Sequence, residues 1–160
     1  MRGCMNQDLF EVNTAEALTH FFLSIVGDGF DVKKFKIAKQ NKPHKFDTAI
    51  YIGIYGNIEG MMLIETKKKT AMEFAHSLPG MEGQEVTINE IVKNFIGEMG
   101  NVLMNKTVPL LNKSFGDSYL STPSVFIGAN IQVNLFYKIS YSVIVCTQFG
   151  EFKITFAIKE

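Results

Sequence analysis

Near the end of the chain, large apolar residues occur at every second position. Phe152, Ile154, Phe156 and Ile158 are separated mainly by charged or hydroxyl-bearing residues. This period is typical of a strand with one buried face and one wet face. A half-buried strand needs partners, so the chain must build a sheet.

Other segments carry strand patterns of the same kind. They are Val32–Ala38, Thr48–Tyr55, Met61–Thr66, Ser124–Ile127, Gln132–Ile139 and Tyr141–Thr147, with Glu151–Lys159 as the last. Gly56–Gly60 and Phe149-Gly150 are turn signals between neighbouring strands, which predicts two β-hairpins. Asn41–Lys45 and the stretch with Gly116, Asp117 and Pro123 are expected to be loops.

Three segments show helical spacing of apolar residues. They are Thr14–Val26, with Asn13 or Thr14 as N-cap and Gly27 as terminator, then Lys67–Leu78, and Thr87 to about Leu111. Hairpins combined with helices predict an α+β fold, in which an antiparallel sheet of two hairpin units carries long helices packed on one face.

An internal pseudo-repeat is a further expectation. An offset of 74 positions aligns Glu16 with Glu90 and Phe21 with Phe95, and each helix is followed by a hairpin.

Length and charge restrict the classes of function. The chain has 160 residues, which predicts a single domain over residues 1–160, and its sixteen basic side chains balance sixteen acidic ones. A neutral surface lacks the positive field that nucleic acid or an anionic membrane requires. No apolar run reaches the roughly 18 residues of a membrane span, and Met1–Asp8 does not resemble a signal peptide, so a soluble, cytoplasmic protein is expected.

Metal and redox chemistry find little support in the sequence. Cys4 and Cys146 lie far apart, and His20, His44 and His76 show no paired spacing. Zinc sites need ligand clusters at short spacing. We therefore expect no metal site.

The longest helical pattern has two distinct sides. At about 100° per residue one broad apolar stripe gathers on one side, which predicts the core face. The stripe consists of Ile88, Ile91, Val92, Phe95, Ile96, Met99, Val102 and Leu103. The other side carries Asn94, Glu98, Asn101 and Asn105, spaced four, three and four, so that they stand above one another.

The polar side is unusual for a helix. Asparagine competes for backbone hydrogen bonds, and Gly97 and Gly100 each cost about 1 kcal/mol relative to alanine. Small residues beside Glu98 and Asn101 would let another protein approach the backbone closely. A plain solvated helix face is the alternative reading of the same pattern.

At this point the residues resemble a known family. Glu98-Met99-Gly100-Asn101 is similar to the mid-helix E-x-x-N signature of the CheC/CheX/FliY chemotaxis phosphatases. Ser121–Gly128, with Pro123 before an apolar strand, resembles a loop of that family, and the order of helices and hairpins also agrees. The resemblance covers roughly Glu11 to Lys159.

The resemblance implies a function. It implies a phosphatase that hydrolyses the aspartyl phosphate of a CheY-like response regulator, with Asn101 positioning water and Glu98 pairing with a receiver lysine. Asn94, Gly97 and Asn105 would contact the partner. The protein would need no cofactor of its own, because Mg²⁺ would come with the receiver.

The resemblance is closer to CheX than to CheC. Under the internal offset, Ser24 and Gly27 replace Glu98 and Asn101, so one site remains. CheX relatives imply a homodimer through the sheet, and Asn105 stands where the family commonly has glycine. The alternative is a non-catalytic adaptor that binds a response regulator or a flagellar switch component.

Overall fold

The two hairpins meet in the middle of one antiparallel sheet. The computed structural model describes residues 30–35, 43–77, 80–81, 83–85, 87–134, 137 and 139–159; within these ranges the side chains of 30–35, 95–104, 106–107, 110, 114, 139, 141 and 143 are not described. The helix predicted over Thr14–Val26, and the pseudo-repeat that depends on it, lie outside these residues.

Seven strands and two helices follow one another in this part of the chain. They are β1 (Phe30–Phe35), β2 (His44–Gly56), β3 (Glu59–Thr66), α1 (Lys68–Ser77), α2 (Ile88–Phe115), β4 (Ser118–Leu120), β5 (Ser124–Val133), β6 (Ile139–Thr147) and β7 (Gly150–Lys159). The strand order is β1-β6-β7-β3-β2, and both β4 and β5 pair with β2. All these pairings are antiparallel.

Both predicted hairpins are confirmed. Asn57-Ile58 joins β2 to β3, and Gln148-Phe149 joins β6 to β7. The hairpins contact each other through β3 and β7, whose register runs from Glu59 opposite Lys159 to Thr66 opposite Phe152. Sheet and helices together give the α+β class that the sequence predicts.

One strand prediction was wrong, and two predicted loops contain strand residues. Strand β2 begins at His44, inside the segment Asn41–Lys45 that was expected to be a loop. The structure divides the predicted strand Gln132–Ile139, because Gln132 and Val133 end β5 while Ile139 begins β6. The two parts have different partners, since Gln132 pairs with Lys45 of β2 and Ile139 pairs with Ile158 of β7. The predicted loop after α2 contains β4, a strand of three residues on β2.

The larger core lies between the sheet and the two helices. Its sheet side includes Ile50, Ile52, Ile54, Met62, Ile64, Phe152, Ile154 and Phe156, and its helix side includes Ala71, Phe74, Ala75, Ile91 and Leu111. Phe74 makes an edge contact with Phe152, with ring centroids 5.5 Å apart. Each large apolar side chain buried here contributes roughly 1.5–3 kcal/mol by removing apolar surface from water.

The opposite sheet face holds a second, smaller cluster. It contains Phe46, Ala49, Met61, Leu63 and Ala157, with Tyr51 and Tyr137 packed against it. Burial, together with the nearby Tyr51 and Glu59, raises the pKa of the Tyr137 phenol above its usual range. The second face is thus covered over part of its area.

A buried polar pair lies on the second face. His44 Nδ1 and Glu65 Oε2 are 2.9 Å apart, and the two residues are only 2% and 5% exposed. The β2–β5 register shifts between Phe46 and Thr48, and His44 and Phe46 lie on the same side as Leu63 and Glu65. A polar pair at this depth is stable only because each partner satisfies the other.

We expect Glu65→Ala to lower the free energy of unfolding by about 3 kcal/mol, because it leaves the ring of His44 buried without its partner. Urea denaturation measures the change. Glu59→Ala is the matched control, since Glu59 lies on the same strand but pairs with Lys159 at the surface. If both variants lost the same free energy of unfolding, the buried pair of His44 and Glu65 would not be the source of the stability.

Candidate functional site

The helix that carries the E-x-x-N residues begins at a capping box. Thr87 Oγ1 accepts a hydrogen bond from the backbone N–H of Glu90 at 3.3 Å, and Glu90 Oε2 accepts one from the backbone N–H of Thr87 at 2.7 Å. The exchange satisfies two N–H groups that a helix start leaves open. It fixes the first residue of α2 at Ile88, one residue after the predicted start.

The other end of α2 is fixed by the β2–β3 turn. Gly116 has φ 78° and its N–H donates to the Asn112 carbonyl at 2.9 Å. Asn57 Nδ2, from the hairpin turn, donates to the Phe115 carbonyl at 3.2 Å, and Asn112 Oδ1 accepts from the Ser118 N–H at 2.8 Å. The helix therefore continues four residues past the predicted end at Leu111.

Buried side chains hold α2 on both sides of the candidate site. Ile91 is 1% exposed and Leu111 is 3% exposed, and both belong to the larger core. They are twenty residues apart, and at 100° per residue this is five full turns plus about 200°. On a straight helix the two side chains would therefore point in nearly opposite directions. The buried side of α2 therefore changes along its length, and Glu98 and Asn101 lie on the segment between the two anchors.

The backbone of Gly97, Glu98 and Asn101 is helical. Their side chains lie outside the described part of the structure. Three residues on a helix advance by about 300°, so Glu98 and Asn101 lie on one side of α2 and one turn apart. The helical placement of the signature is as expected, and the roles of the two side chains stay a prediction.

The polar side is exposed beyond the signature. Asn105, one turn after Asn101, is exposed, and so are Pro109 and Asn112 at the next two steps of four and three residues. The side of α2 that carries Asn101 is thus open to solvent where its C-terminal continuation is described.

The first turns of α2 differ from the predicted pattern. Ile88, expected in the core, is 49% exposed, because it is the first helical residue and Ile91 is the one that reaches the core. Asn94, expected on the outer side, is half-buried, and within the described residues its Nδ2 is enclosed and has no acceptor. Its role in binding a partner stays a prediction.

A separate cleft was not anticipated from the sequence. It has a volume of about 820 Å³, and its described lining, which includes His44, Glu65, Thr70 and Lys153, lies outside α2. His44 and Glu65 are 21 positions apart, and no local pattern indicates that they pair. Only strand register brings them together.

Across the described ranges, no three His, Cys, Asp or Glu side chains are arranged to hold a metal ion. Within those ranges, no helix combines the length and the apolar character that a bilayer span requires.

Solved structures share this fold. Chemotaxis protein CheX from Desulfovibrio desulfuricans is 19% identical, with a TM-score of 0.75 over 95% of this chain and 99% of that one. A chain of the CheX–CheY–BeF3–Mg²⁺ complex from Borrelia burgdorferi is 17% identical, with a TM-score of 0.76 over 94% and 98%. FliY from Thermotoga maritima is 13% identical, with a TM-score of 0.63 over 94% and 86%.

These likenesses define the class as the CheC/CheX/FliY fold. The family described as chemotaxis phosphatase CheX matches residues 48–147, which is more than half of the chain and includes Glu98 and Asn101. The chain therefore belongs to the CheX family. Its sequence has no significant match among curated proteins.

We expect Asn94→Ala to leave the free energy of unfolding unchanged or to raise it by up to about 1 kcal/mol. The change removes a buried amide N–H without an acceptor and improves helix propensity. Urea denaturation tests this, with Asn105→Ala as the exposed control on the same helix. A loss of more than about 1 kcal/mol would show that the Asn94 amide has a partner.

Proposed function

We propose that this protein hydrolyses the aspartyl phosphate of a CheY-like receiver domain, with Glu98 and Asn101 acting on the partner. The observation that carries the proposal is an E-x-x-N pair inside the region that matches the CheX family, on a continuous helix fixed at both ends. The exposed continuation of that side at Asn105, Pro109 and Asn112 supports access by a second protein.

Asn101 would position the attacking water. An aspartyl phosphate is an acyl phosphate and already activated, so hydrolysis needs a water in line with the P–O bond and stabilisation of the phosphoryl oxygens. A neutral amide cannot act as a general base, but it can donate to a phosphoryl oxygen and accept from the water. Asn101 would thus lower the barrier by orientation.

Glu98 would dock the partner. An ionised carboxylate accepts hydrogen bonds and pairs with an ammonium group, and a receiver lysine beside the phosphoaspartate is the expected partner. Because Glu98 precedes Asn101 by one turn, the ion pair would place the amide over the phosphoryl group. Gly97 beside it would allow close backbone approach.

The metal would belong to the receiver. The Borrelia burgdorferi complex contains CheY with BeF3 and Mg²⁺. By analogy we propose that acidic side chains of the receiver hold Mg²⁺, which neutralises phosphoryl charge, and that this chain contributes no cofactor. The same analogy suggests that the protein works in the cytoplasm with its receiver.

Self-association is a further part of the proposal. β1 pairs only with β6 among the described strands, so one side of β1 is a sheet edge there. An edge strand offers unpaired backbone groups to a second copy. We propose a homodimer formed through the sheet. Light scattering tests this, since a dimer would have twice the chain mass of 18.0 kDa.

A catalytic amount of the protein should clear a molar excess of phosphorylated CheY-type receiver, and Asn101→Ala should slow this by roughly 100-fold or more. That is the scale for losing one preorganised polar group at a reacting centre. Release of inorganic phosphate measures the rate. Asn89→Ala, an exposed asparagine on the same helix, is the control.

The same assay distinguishes the adaptor hypothesis. An adaptor would bind the receiver in stoichiometric amounts and accelerate nothing, with or without Asn101. If the wild type turns over and Asn101→Ala is equally fast, the role of Asn101 is refuted but the phosphatase activity is not.

Glu98→Gln should raise the KM for the phosphorylated receiver by tenfold or more, because truncating one partner of an interfacial charge pair costs about 2 kcal/mol or more. The effect should shrink as salt concentration rises. Glu85→Gln, an exposed carboxylate before α2, is the matched control. An unchanged KM would show that Glu98 does not contribute to binding the receiver.

A further inference from the structure

Helix α2 contains a proline well inside its length. Pro109 lies within the continuous helix Ile88–Phe115, six residues before its end. Proline has no backbone N–H, so the carbonyl of Asn105 lacks the donor that the fourth following residue normally supplies. Asn105 and Pro109 are both exposed. The carbonyl of Asn105 therefore lacks its usual helical donor, on a turn of α2 whose residues Asn105 and Pro109 are exposed.

This acceptor lies on the side of the helix proposed to meet the receiver. Asn105 follows Asn101 by four residues and Glu98 by seven, and both spacings return to the same side of a helix. The side-chain amide of Asn105 belongs to the same exposed turn. Two hydrogen-bonding groups thus stand one turn below the residue proposed to position water.

We infer that the backbone carbonyl of Asn105, which Pro109 leaves without a helical donor, accepts a hydrogen bond from an N–H or ammonium group on the receiver, beside the phosphorylation site. The inference rests on the proposed function and adds a positioning residue to it. The carbonyl contributes affinity and register, whereas Glu98 and Asn101 act at the phosphoryl group. Pro109 keeps the carbonyl open by withholding a competing donor.

A purely structural role for Pro109 is the competing explanation. A proline on the solvent side bends a helix around the core, because its ring opens the preceding turn. Such a bend would help Leu111 reach the core that also contains Ile91. The two explanations differ in what changes when an N–H is restored at position 109.

Pro109→Ala and Pro109→Gly both restore the N–H, but they differ in helix propensity. If the carbonyl docks the receiver, both variants raise the KM by about fivefold, the effect of one hydrogen bond, and leave kcat unchanged. Their melting temperatures differ from each other while their KM values agree. Pro43→Ala, before β2, is the matched control and changes neither constant.

Other outcomes overturn the inference. A KM within twofold of wild type in both variants shows that the carbonyl makes no contact. A fall in kcat, or a KM that follows melting temperature, shows that Pro109 acts through helix shape. If the wild type has no turnover, the proposed function fails, and the Kd for a CheY-type receiver loaded with BeF3 and Mg²⁺ still tests the inference. Equal Kd values, or no binding by the wild type, overturn it.

Discussion

The pairing of β3 with β7 is the interaction on which the rest of the structure depends. It joins two hairpins that would each be marginal alone and places β3 between β2 and β7. The approach is close at Gly60, where a Cβ would collide with the backbone carbonyl of Ala157. Through the β2–β3 turn, the Asn57 side chain then donates a hydrogen bond to the carbonyl of Phe115, the last residue of α2, so the sheet helps to fix where the candidate helix ends.

The helix is strongest at its ends and weakest in its middle. The capping box at Thr87 and the Gly116 end provide hydrogen bonds, and Ile91 and Leu111 provide burial. Between Ile91 and Leu111 the helix contains two glycines and a proline, and both residue types are unfavourable inside a helix. Residues that are locally unfavourable for a helix, in a segment held at both ends, are typical of a functional site. A rigid frame with small residues at the contact suits a protein that must meet a preformed phosphoryl site.

Several elements follow from local sequence, and others do not. The α1 prediction, Lys67–Leu78, was confirmed to within one residue at each end, as Lys68–Ser77, because its periodicity and the preceding strand leave little choice. The segment Gln132–Ile139 was misread as one strand because apolar and polar residues alternate through it. That alternation says nothing about which strand is the partner, and here the partner changes from β2 to β7. For the site, Glu98 and Asn101 are visible in sequence as one motif, whereas the buried Nδ2 of Asn94 depends on how α2 is seated.

The sequence by itself determined helices α1 and α2, both hairpins and the spacing that puts Glu98 and Asn101 on one helix side. Each of these depends on neighbours within one or two turns. Only the tertiary structure decided the strand order, the pairing of His44 with Glu65, the addition of β4 and β5 to β2, and the half-burial of Asn94. These depend on contacts between segments far apart in the chain, whose free energy comes from burying surfaces jointly and is not contained in either segment alone.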